Sequence, residues 1–301
     1  MPNERDFLAH RFEEHRTQLN AVAYRLLGSL TDADDAVQEA WLRLERSPSD
    51  DIENLGGWLT TVVGRVSLDM LRSRRLHREG PLEAHLPDLL VSRENPADPE
   101  EQALIADAVG LALQVVLESL NPAERLAFVL HDIFAVPFEE IAPIIDRTPV
   151  AARKLASRAR QRVQGAATTS DPNPVAQRRL VNAFLTAARG GDFDALLAIL
   201  DPEVVLRADA GKMLPGGMRV LQGAEAVVGE AATFRRMATI ATARPVLVNG
   251  TAGLVNTVNG ELISIMSFIV TNNKIVAINV LADPDRLAGL DLTGIDLTGK
   301  V

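Results

Sequence analysis

The stretch 136–163 admits few folds, because its turn and cap residues fall at fixed offsets between two apolar stripes. Pro137 can open a helix, since the N–H it lacks is one that a helix start leaves unpaired. Glu139 and Glu140 then sit in the first turn, where the helix dipole favours negative charge. Phe138, Ile141, Ala142 and Ile145 mark a buried side at three- to four-residue spacing. Asp146 takes the corner, a position usually given to Gly but within reach of Asp in the left-handed region. Thr148 caps a second helix and Pro149 starts it. The pattern predicts two helices joined by a tight corner.

The second helix has two chemically distinct faces. At roughly 100° per residue, Ala152, Leu155, Ala156, Ala159 and Val163 share one narrow stripe, small enough for close packing against a partner helix. Lys154, Ser157, Arg158 and Gln161 lie opposite, flanked by Arg153 and Arg160. Long donors in a row suit base edges and phosphates in a major groove. A charge run alone reads as a solvated face. The corner before it and the Ser and Gln among the cations favour a DNA-reading helix-turn-helix.

A net charge of −9 sits awkwardly with DNA binding until it is located along the chain. Residues 1–170 hold 19 Lys/Arg against 27 Asp/Glu, whereas residues 171–301 hold 12 against 13. The acid is therefore in the same half as the basic helix, and a negative field opposes phosphate neutralisation. Such a chain should bind DNA poorly alone and need something else to bring it there. With 301 residues there is room for two or three cores. The absence of cysteine excludes disulfides, thiolate metal sites and a cysteine nucleophile. Neither a signal-peptide core nor a membrane-length apolar run is present, so the expectation is a cytoplasmic protein with no membrane partner.

Upstream, residues 5–45 read as helical, with Leu19, Val22, Ala23, Leu26 and Leu27 on one stripe. Gly28-Ser-Leu-Thr-Asp breaks that helix, and Thr31 with Asp34 resembles a capping box for the next. There Val37, Ala40, Trp41 and Leu44 face inward. Asp32, Asp34, Asp35, Gln38 and Glu39 crowd the start and outer side, either as simple helix-start stabilisers or as a docking surface for a basic partner. A polar loop, 47–57, leads to a helix from Trp58 with Leu59, Val62, Val63, Val66 and Met70 on its core side. Arg65, Arg72 and Arg75 point away, with Arg74 and Arg78 at the flank. Two separated basic helical faces can span two DNA elements.

These residues carry a family resemblance. Tyr24-Arg-Leu-Leu-Gly-Ser, Asp32-Ala-Asp-Asp-Ala-Val-Gln-Glu-Ala-Trp-Leu-Arg-Leu and Trp58-Leu-Thr-Thr-Val-Val resemble region 2 of extracytoplasmic-function RNA polymerase sigma factors. Leu120-Asn-Pro-Ala-Glu-Arg through Leu155-Ala-Ser-Arg-Ala-Arg resembles their region 4. The resemblance implies that Asp32, Asp34, Asp35, Gln38 and Glu39 grip the clamp of core RNA polymerase, with the flap as a second contact. It implies that the 47–57 loop and Arg65, Arg72 and Arg75 serve the −10 element, while Arg153, Lys154, Ser157 and Arg158 read the −35 element. The loop has no aromatic residue on which a flipped base could stack, so base capture there needs backbone and polar contacts.

Residues 79–101 hold four prolines and seven acids against one Arg, and read as an extended, solvated linker. In the family this connector threads the polymerase cleft. Gly80-Pro-Leu and Leu86-Pro resemble a linker motif whose Trp is missing here. Beyond the hinge-like run Thr168-Thr-Ser-Asp-Pro-Asn-Pro, residues 175–200 suggest two helices about Gly190-Gly-Asp. Strand patterns follow at 203–209, 218–222, 244–249, 252–258, 261–271 and 274–281, with a helix near 223–236 and a tight turn at Asn272-Asn273. Helices followed by a curved antiparallel sheet give an α+β cone, which resembles the SnoaL-like domain fused to some sigma factors. Asp209-Ala-Gly-Lys212 and Asp283-Pro-Asp-Arg-Leu287 point to the SigJ-like subgroup. The expected organisation is all-α modules at 1–78 and 102–166, a linker at 79–101, a hinge at 167–174 and the α+β domain at 175–301.

A cone of this kind commonly encloses a cavity, so catalysis has to be weighed. All five His (His10, His15, His77, His85, His131) and the single Tyr24 lie in the first half. The carboxylate-plus-Tyr constellation of a proton-transfer pocket is thus missing. Asp209 and Lys212 read as an ordinary ion pair before an acid/base pair. The expectation is no enzyme, no cofactor and no metal, with a cavity open to an unidentified small ligand. The resemblance implies that Asp209, Gly211, Lys212, Asp283, Pro284 and Asp285 lie at the regulatory contact with the sigma modules, so that no separate anti-sigma protein is required. A free-standing helix-turn-helix regulator with a ligand-sensing domain, and a ketosteroid-isomerase-like enzyme, are the competing readings.

Overall fold

The computed structural model describes residues 4–47, 52, 54–77, 85–93, 111–164, 173–214, 217–230, 239–295 and 297. The side chains of 4–6, 75–77 and 112 lie outside that description. The expectations for the Arg75 side chain, for Arg78, for 48–51 and 53 of the 47–57 loop and for Gly80-Pro-Leu fall outside it as well. The chain forms two compact units, one from residues 1–79 and 114–166, the other from 80–113 and 167–301.

In the first unit, α1 (Glu4–Leu27), α2 (Leu30–Glu45) and α3 (Leu55–His77) pack together through the predicted stripes. Leu19, Val22, Leu26, Val37, Leu44, Leu59 and Val63 are at most 2% exposed. Two helix starts differ from expectation. Ser29, not Thr31, caps α2, its hydroxyl accepting from the Asp32 amide at 3.4 Å. Asn54 caps α3 four residues before Trp58, accepting from the Gly57 amide at 3.0 Å. Both are good N-cap types placed one helical turn before the apolar run, where the orphan N–H groups need acceptors.

Further along come α4 (Leu111–Ser119) and α5 (Pro122–Phe128), then a π turn over Val129–Ile133, α6 (Phe138–Ile141) and α7 (Pro149–Gln164). Asn121 caps α5, with Pro122 in the first helical position. Pro137 sits at the cap of α6 rather than inside it, with φ −61° and ψ 145°. The α-helix also stops at Ile141, short of the expected Ile145, because Pro143 has no N–H to continue the ladder. Asp146 adopts the left-handed conformation at φ 55°, as the corner requires. Thr148 caps α7, accepting from the Ala151 amide at 3.3 Å. Ala152, Ala156 and Ala159 are fully buried, and the small stripe lets α7 pack closely on α5.

The second unit is an α+β domain. Asn173 caps α8 (Pro174–Gly190), Gly191 ends it at φ 67°, and Asp192 caps α9 (Phe193–Ile199). The strands are β1 (Val91–Ser92), β2 (Leu200–Asp209), β3 (Met218–Gln222), β4 (Thr242–Val248), β5 (Thr251–Val258), β6 (Glu261–Thr271) and β7 (Lys274–Leu281), in sheet order β1-β4-β5-β6-β7-β2-β3. Two short helices, α10 (Ala224–Gly229) and α11 (Pro284–Ala288), complete the described elements. The sheet is mixed: β2 runs parallel to β7 while the other neighbours are antiparallel. The expected antiparallel sheet thus holds at every described neighbour but this pair, since alternation fixes which face a residue occupies but not its partner strand. Asn249-Gly250, Asn259-Gly260 and Asn272-Asn273 all turn with positive φ at both positions, the conformation of tight hairpins.

One sheet face packs under α8, α9 and α10 through Phe184, Leu206, Phe268 and Ile278. The opposite face is not bare. Leu86 donates from its amide to Asp209 Oδ2 at 2.8 Å, at the end of β2. Leu90 donates to Asn249 Oδ1 at 3.1 Å and accepts from the Asn249 amide at 2.8 Å, and Val91 pairs with Val248 on β4. Since β7, β6 and β5 separate β2 from β4, residues 85–92 form a strap running obliquely across this face. Leu86 and Leu89 are each 3% exposed. The described part of the predicted solvated linker is therefore seated on the sheet.

Candidate nucleic-acid interface and its restraints

On α7, Arg153, Lys154, Ser157, Arg158 and Gln161 are exposed together, opposite the buried alanines. The predicted −35 set thus shares one solvent face. Its cations are not equivalent. The Arg153 guanidinium lies 5.3 Å from the Phe138 ring centroid, a cation–π contact that fixes its direction. His131 stacks on the same ring at 3.9 Å. Arg160 is held by Asp132 at 2.9 Å and Arg162 by Glu124 at 2.6 Å. Lys154 and Arg158 are the long donors left facing solvent.

On α3, Arg65 and Arg72 are exposed, and Arg72 lies 3.9 Å from Asp69. Arg74 turns inward, donating to the Leu27 carbonyl at 3.1 Å and pairing with Asp32. The predicted acidic surface on α2 therefore divides. Asp34, Asp35 and Gln38 are exposed, while Asp32 is engaged by Arg74 and Glu39 by Arg43 at 2.9 Å.

Helices α1–α3 and α4–α7 also interlock, which the spacing did not reveal. Gln114 Nε2 donates to the carbonyls of Tyr24 and Arg25 at 3.2 and 3.3 Å. Arg125 Nε donates to the Arg25 carbonyl at 3.2 Å, so two residues of the second helical set bond carbonyls in the last turn of α1. Arg125 is 4% exposed. Burial pushes its guanidinium down to about 10, with the Glu118 carboxylate acting in the opposite direction. The Arg25 guanidinium lies 5.0 Å from the Phe134 ring. The only cue in the sequence was Glu-Arg following Asn-Pro, at positions that a surface helix would expose.

In the second unit, of the residues picked from 209–212 and 283–285, Asp209 is the one bonded to the strap. Asp209 is fully buried. Its carboxylate accepts from the Leu86 amide, from the Gly211 amide at 3.2 Å and from Arg286 Nη1 at 2.5 Å, and His85 Nδ1 stands 3.6 Å away. Arg286 bridges on to Asp88 at 2.9 Å. Asp283 caps α11 by accepting from the Asp285 amide at 2.9 Å, and Pro284 opens it. Gly211 has φ 52°, and a Cβ there would lie 2.0 Å from Asp283 Oδ2. Lys212 is almost fully exposed, 3.6 Å from Asp285. The expected Asp209–Lys212 ion pair is thus replaced by Asp209–Arg286, because Asp209 points into the sheet face while Lys212 points to solvent. Arg286, named in the sequence only within the motif 283–287, completes the strap's attachment together with Asp88 and Asn249, which were not singled out. Their signal was the buried-type spacing of Leu86 and Leu89 within an otherwise polar linker.

Among the described residues no group of His, Asp and Glu has metal-ligand geometry. No described helix is long and apolar enough to cross a membrane.

Comparison with known proteins agrees with this layout. Residues 11–77 match the family Sigma-70 region 2, and residues 110–163 match Sigma-70, region 4. The ECF RNA polymerase sigma factor SigJ of Mycobacterium tuberculosis is 38% identical over 293 residues, which span 93% of each chain. A probable ECF RNA polymerase sigma factor SigI of the same species is 35% identical over 289 residues, covering 95% of this chain and 96% of that one. The crystal structure of M. tuberculosis SigJ superposes with a TM-score of 0.74 at 35% identity, covering 94% of this chain and 99% of that chain.

Proposed function

From the premise that this chain belongs to the extracytoplasmic-function RNA polymerase sigma factors, we propose that it is a sigma factor whose C-terminal domain regulates it in cis by holding the connector between regions 2 and 4. As a sigma factor it directs bacterial RNA polymerase to promoters, and it is a binding protein, not an enzyme. Lys154, Ser157 and Arg158 take the −35 element, with Arg153 positioned by the Phe138 ring. Arg65, Arg72 and Arg75 serve the −10 element. Asp34, Asp35 and Gln38 meet the polymerase clamp, with Asp32 and Glu39 joining once Arg74 and Arg43 release them, while the flap receives region 4. The protein works in the cytoplasm, where its polymerase is.

The observation that carries the regulatory reading is the strap. Residues 85–92 belong to the chain between regions 2 and 4, yet they are bound along the sheet by Asp209, Asn249 and β4. A connector pinned there cannot extend to its full reach of about 3.3 Å per residue. The Arg125–Arg25 and Gln114–Tyr24 bonds hold the two DNA-reading modules to one another in the same state. Engaging two promoter elements requires both restraints to yield. Since the restraint is intramolecular, a separate anti-sigma protein is not needed for silence.

The test is transcription with core polymerase, this protein and a promoter library, with start sites read out. Full-length protein is compared with Asp209→Ala and with a chain ending at residue 170. Promoter-specific starts that change in strength with both variants support the reading. Unchanged promoter output removes regulation by the C-terminal domain. Tight, specific DNA binding by the protein without polymerase replaces the sigma reading with that of a free-standing regulator.

A further inference from the structure

The strap-bearing face of the sheet contains a cation that no described residue neutralises. Arg207, in β2, is half-buried. Among the described residues it has no hydrogen-bond, ion-pair or ring partner, and desolvation alone holds its guanidinium below the ordinary arginine range. Asp209 is two residues along on the same face, but its carboxylate is already taken by Arg286, Leu86 and Gly211. Parallel pairing places Asn279 of β7 directly beside Arg207, and antiparallel pairing places Ser267 of β6 beside Asn279. Asn279 and Ser267 are each 1% exposed. The Asn279 amide donates to Ser267 Oγ at 3.3 Å, and its Oδ1 has no partner.

A desolvated guanidinium and an orphaned buried amide side by side are costly unless something completes them. We propose that Arg207 and Asn279 form a binding site for a small carboxylate. Turned over, the Asn279 amide accepts from the Ser267 hydroxyl at Oδ1 and turns its Nδ2 donors away from Ser267, on the sheet face it shares with Arg207. The guanidinium fork and that N–H then supply the donors a planar carboxylate takes in two parallel bonds. One negative charge balances the one cation, whereas a phosphate dianion leaves an excess charge in a partly dry site. Entry is from the β3 side, where Val220, paired with Arg207, is 53% exposed. The site stands whether or not the strap regulates transcription.

The experiment titrates full-length protein with acetate, benzoate and inorganic phosphate at matched ionic strength, chloride serving as control, by calorimetry and thermal shift. Saturable binding of a carboxylate in preference to phosphate is expected. Arg207→Met should weaken it roughly tenfold or more, by removing the charged fork, and should melt no lower than wild type without carboxylate. Asn279→Asp places a carboxylate beside the guanidinium, so it should abolish binding without loss of thermal stability. The proposal is overturned if no carboxylate binds saturably, if phosphate binds as well as the carboxylates, or if Arg207→Met binds like wild type. Melting of Arg207→Met well below wild type without carboxylate also overturns it, because Arg207 then has a protein partner.

Discussion

Replacing Asp209 should release one end of the strap and leave the other attached. The carboxylate is fully buried and accepts from Leu86 N, Gly211 N and Arg286. Hydrogen bonds to a charged group each contribute about 1.5–3 kcal/mol, and breaking a buried pair costs about 3–5 kcal/mol in all. Only the bond to Leu86 N acts directly on the strap. Asp209→Ala should therefore raise local opening at Leu86 by about 1.5–3 kcal/mol, or about ten- to a hundredfold. Asp209→Asn keeps an acceptor but loses the charge, so opening should rise by about 1 kcal/mol, roughly fivefold. Native-state hydrogen exchange reads this directly. The Leu86 amide should speed up in the order wild type, Asn, Ala. The Leu90 amide, bound to Asn249 at the other end, should change less, and the amide of Phe268 in β6 should report only global stability. Equal acceleration at Leu86, Leu90 and Phe268 would mean the domain had merely been destabilised. An unchanged Leu86 would refute the strap's anchorage at Asp209.

Other expectations follow from the same structure. Arg158→Ala should weaken holoenzyme binding to the −35 element by about 1–3 kcal/mol if it reads a base, or lower the salt slope by about 1 if it meets a phosphate. Arg160→Ala, removing a cation already paired to Asp132, should do neither in the same mobility-shift assay. Ala156→Leu overpacks the fully buried α5–α7 contact and should lower stability by about 1–3 kcal/mol in a denaturant titration. Gly211→Ala combines a positive φ with a clash against Asp283 and should cost about 1–3 kcal/mol, seen as a lower melting temperature. For Arg125 the sign follows from proton counting: its folded pKa, about 10, is below its unfolded value, so the unfolded chain binds more protons above pH 10. Wild-type stability should gain relative to Arg125→Met as pH rises above 10, as measured by denaturation midpoints.

The helical half was legible wherever a local rule governs. Thr148, Pro149 and the alanine stripe of α7 announce a capped, closely packed helix, and Asp146 marks the corner. The same residue chemistry placed all the β2–β7 strands and the Asn272-Asn273 turn. The exceptions have physical causes. Pro143 cut α6 short through a missing donor, Ser29 displaced Thr31 as the cap of α2, and Asn54 started α3 ahead of Trp58, each a good cap preceding the apolar run by one turn. Of the candidate interfaces, the exposed cations of α7 were readable from periodicity. Their division into paired and unpaired members was not, because Asp132 and Glu124 come from other helices. The attachment of Leu86 to Asp209 joins residues 123 apart in sequence, and nothing local encodes it. A run of acids and prolines looks like a solvated tether until Leu86 and Leu89 find a sheet.

The acid of the first half then has a structural role beyond repelling DNA. Asp32, Glu39, Asp132 and Glu124 hold Arg74, Arg43, Arg160 and Arg162, so part of the cationic surface is spent internally, while Asp34 and Asp35 remain outward. Phosphate attraction is thereby reduced to a few long side chains, and a lone helix-turn-helix with so few contacts binds weakly, with a shallow dependence on salt. Opening the interlocked helices adds a second cost, because Arg125 and Gln114 must leave the α1 carbonyls. A bias of about 2.7 kcal/mol keeps about ninety-nine molecules in a hundred closed. A partner that binds only the open form must supply that difference, and promoter DNA, meeting a net-negative surface, is poorly suited to do so. A large protein surface with its own basic groups facing Asp34 and Asp35 can. The proposed function then carries an expected order of assembly: the protein partner binds first, and DNA recognition follows.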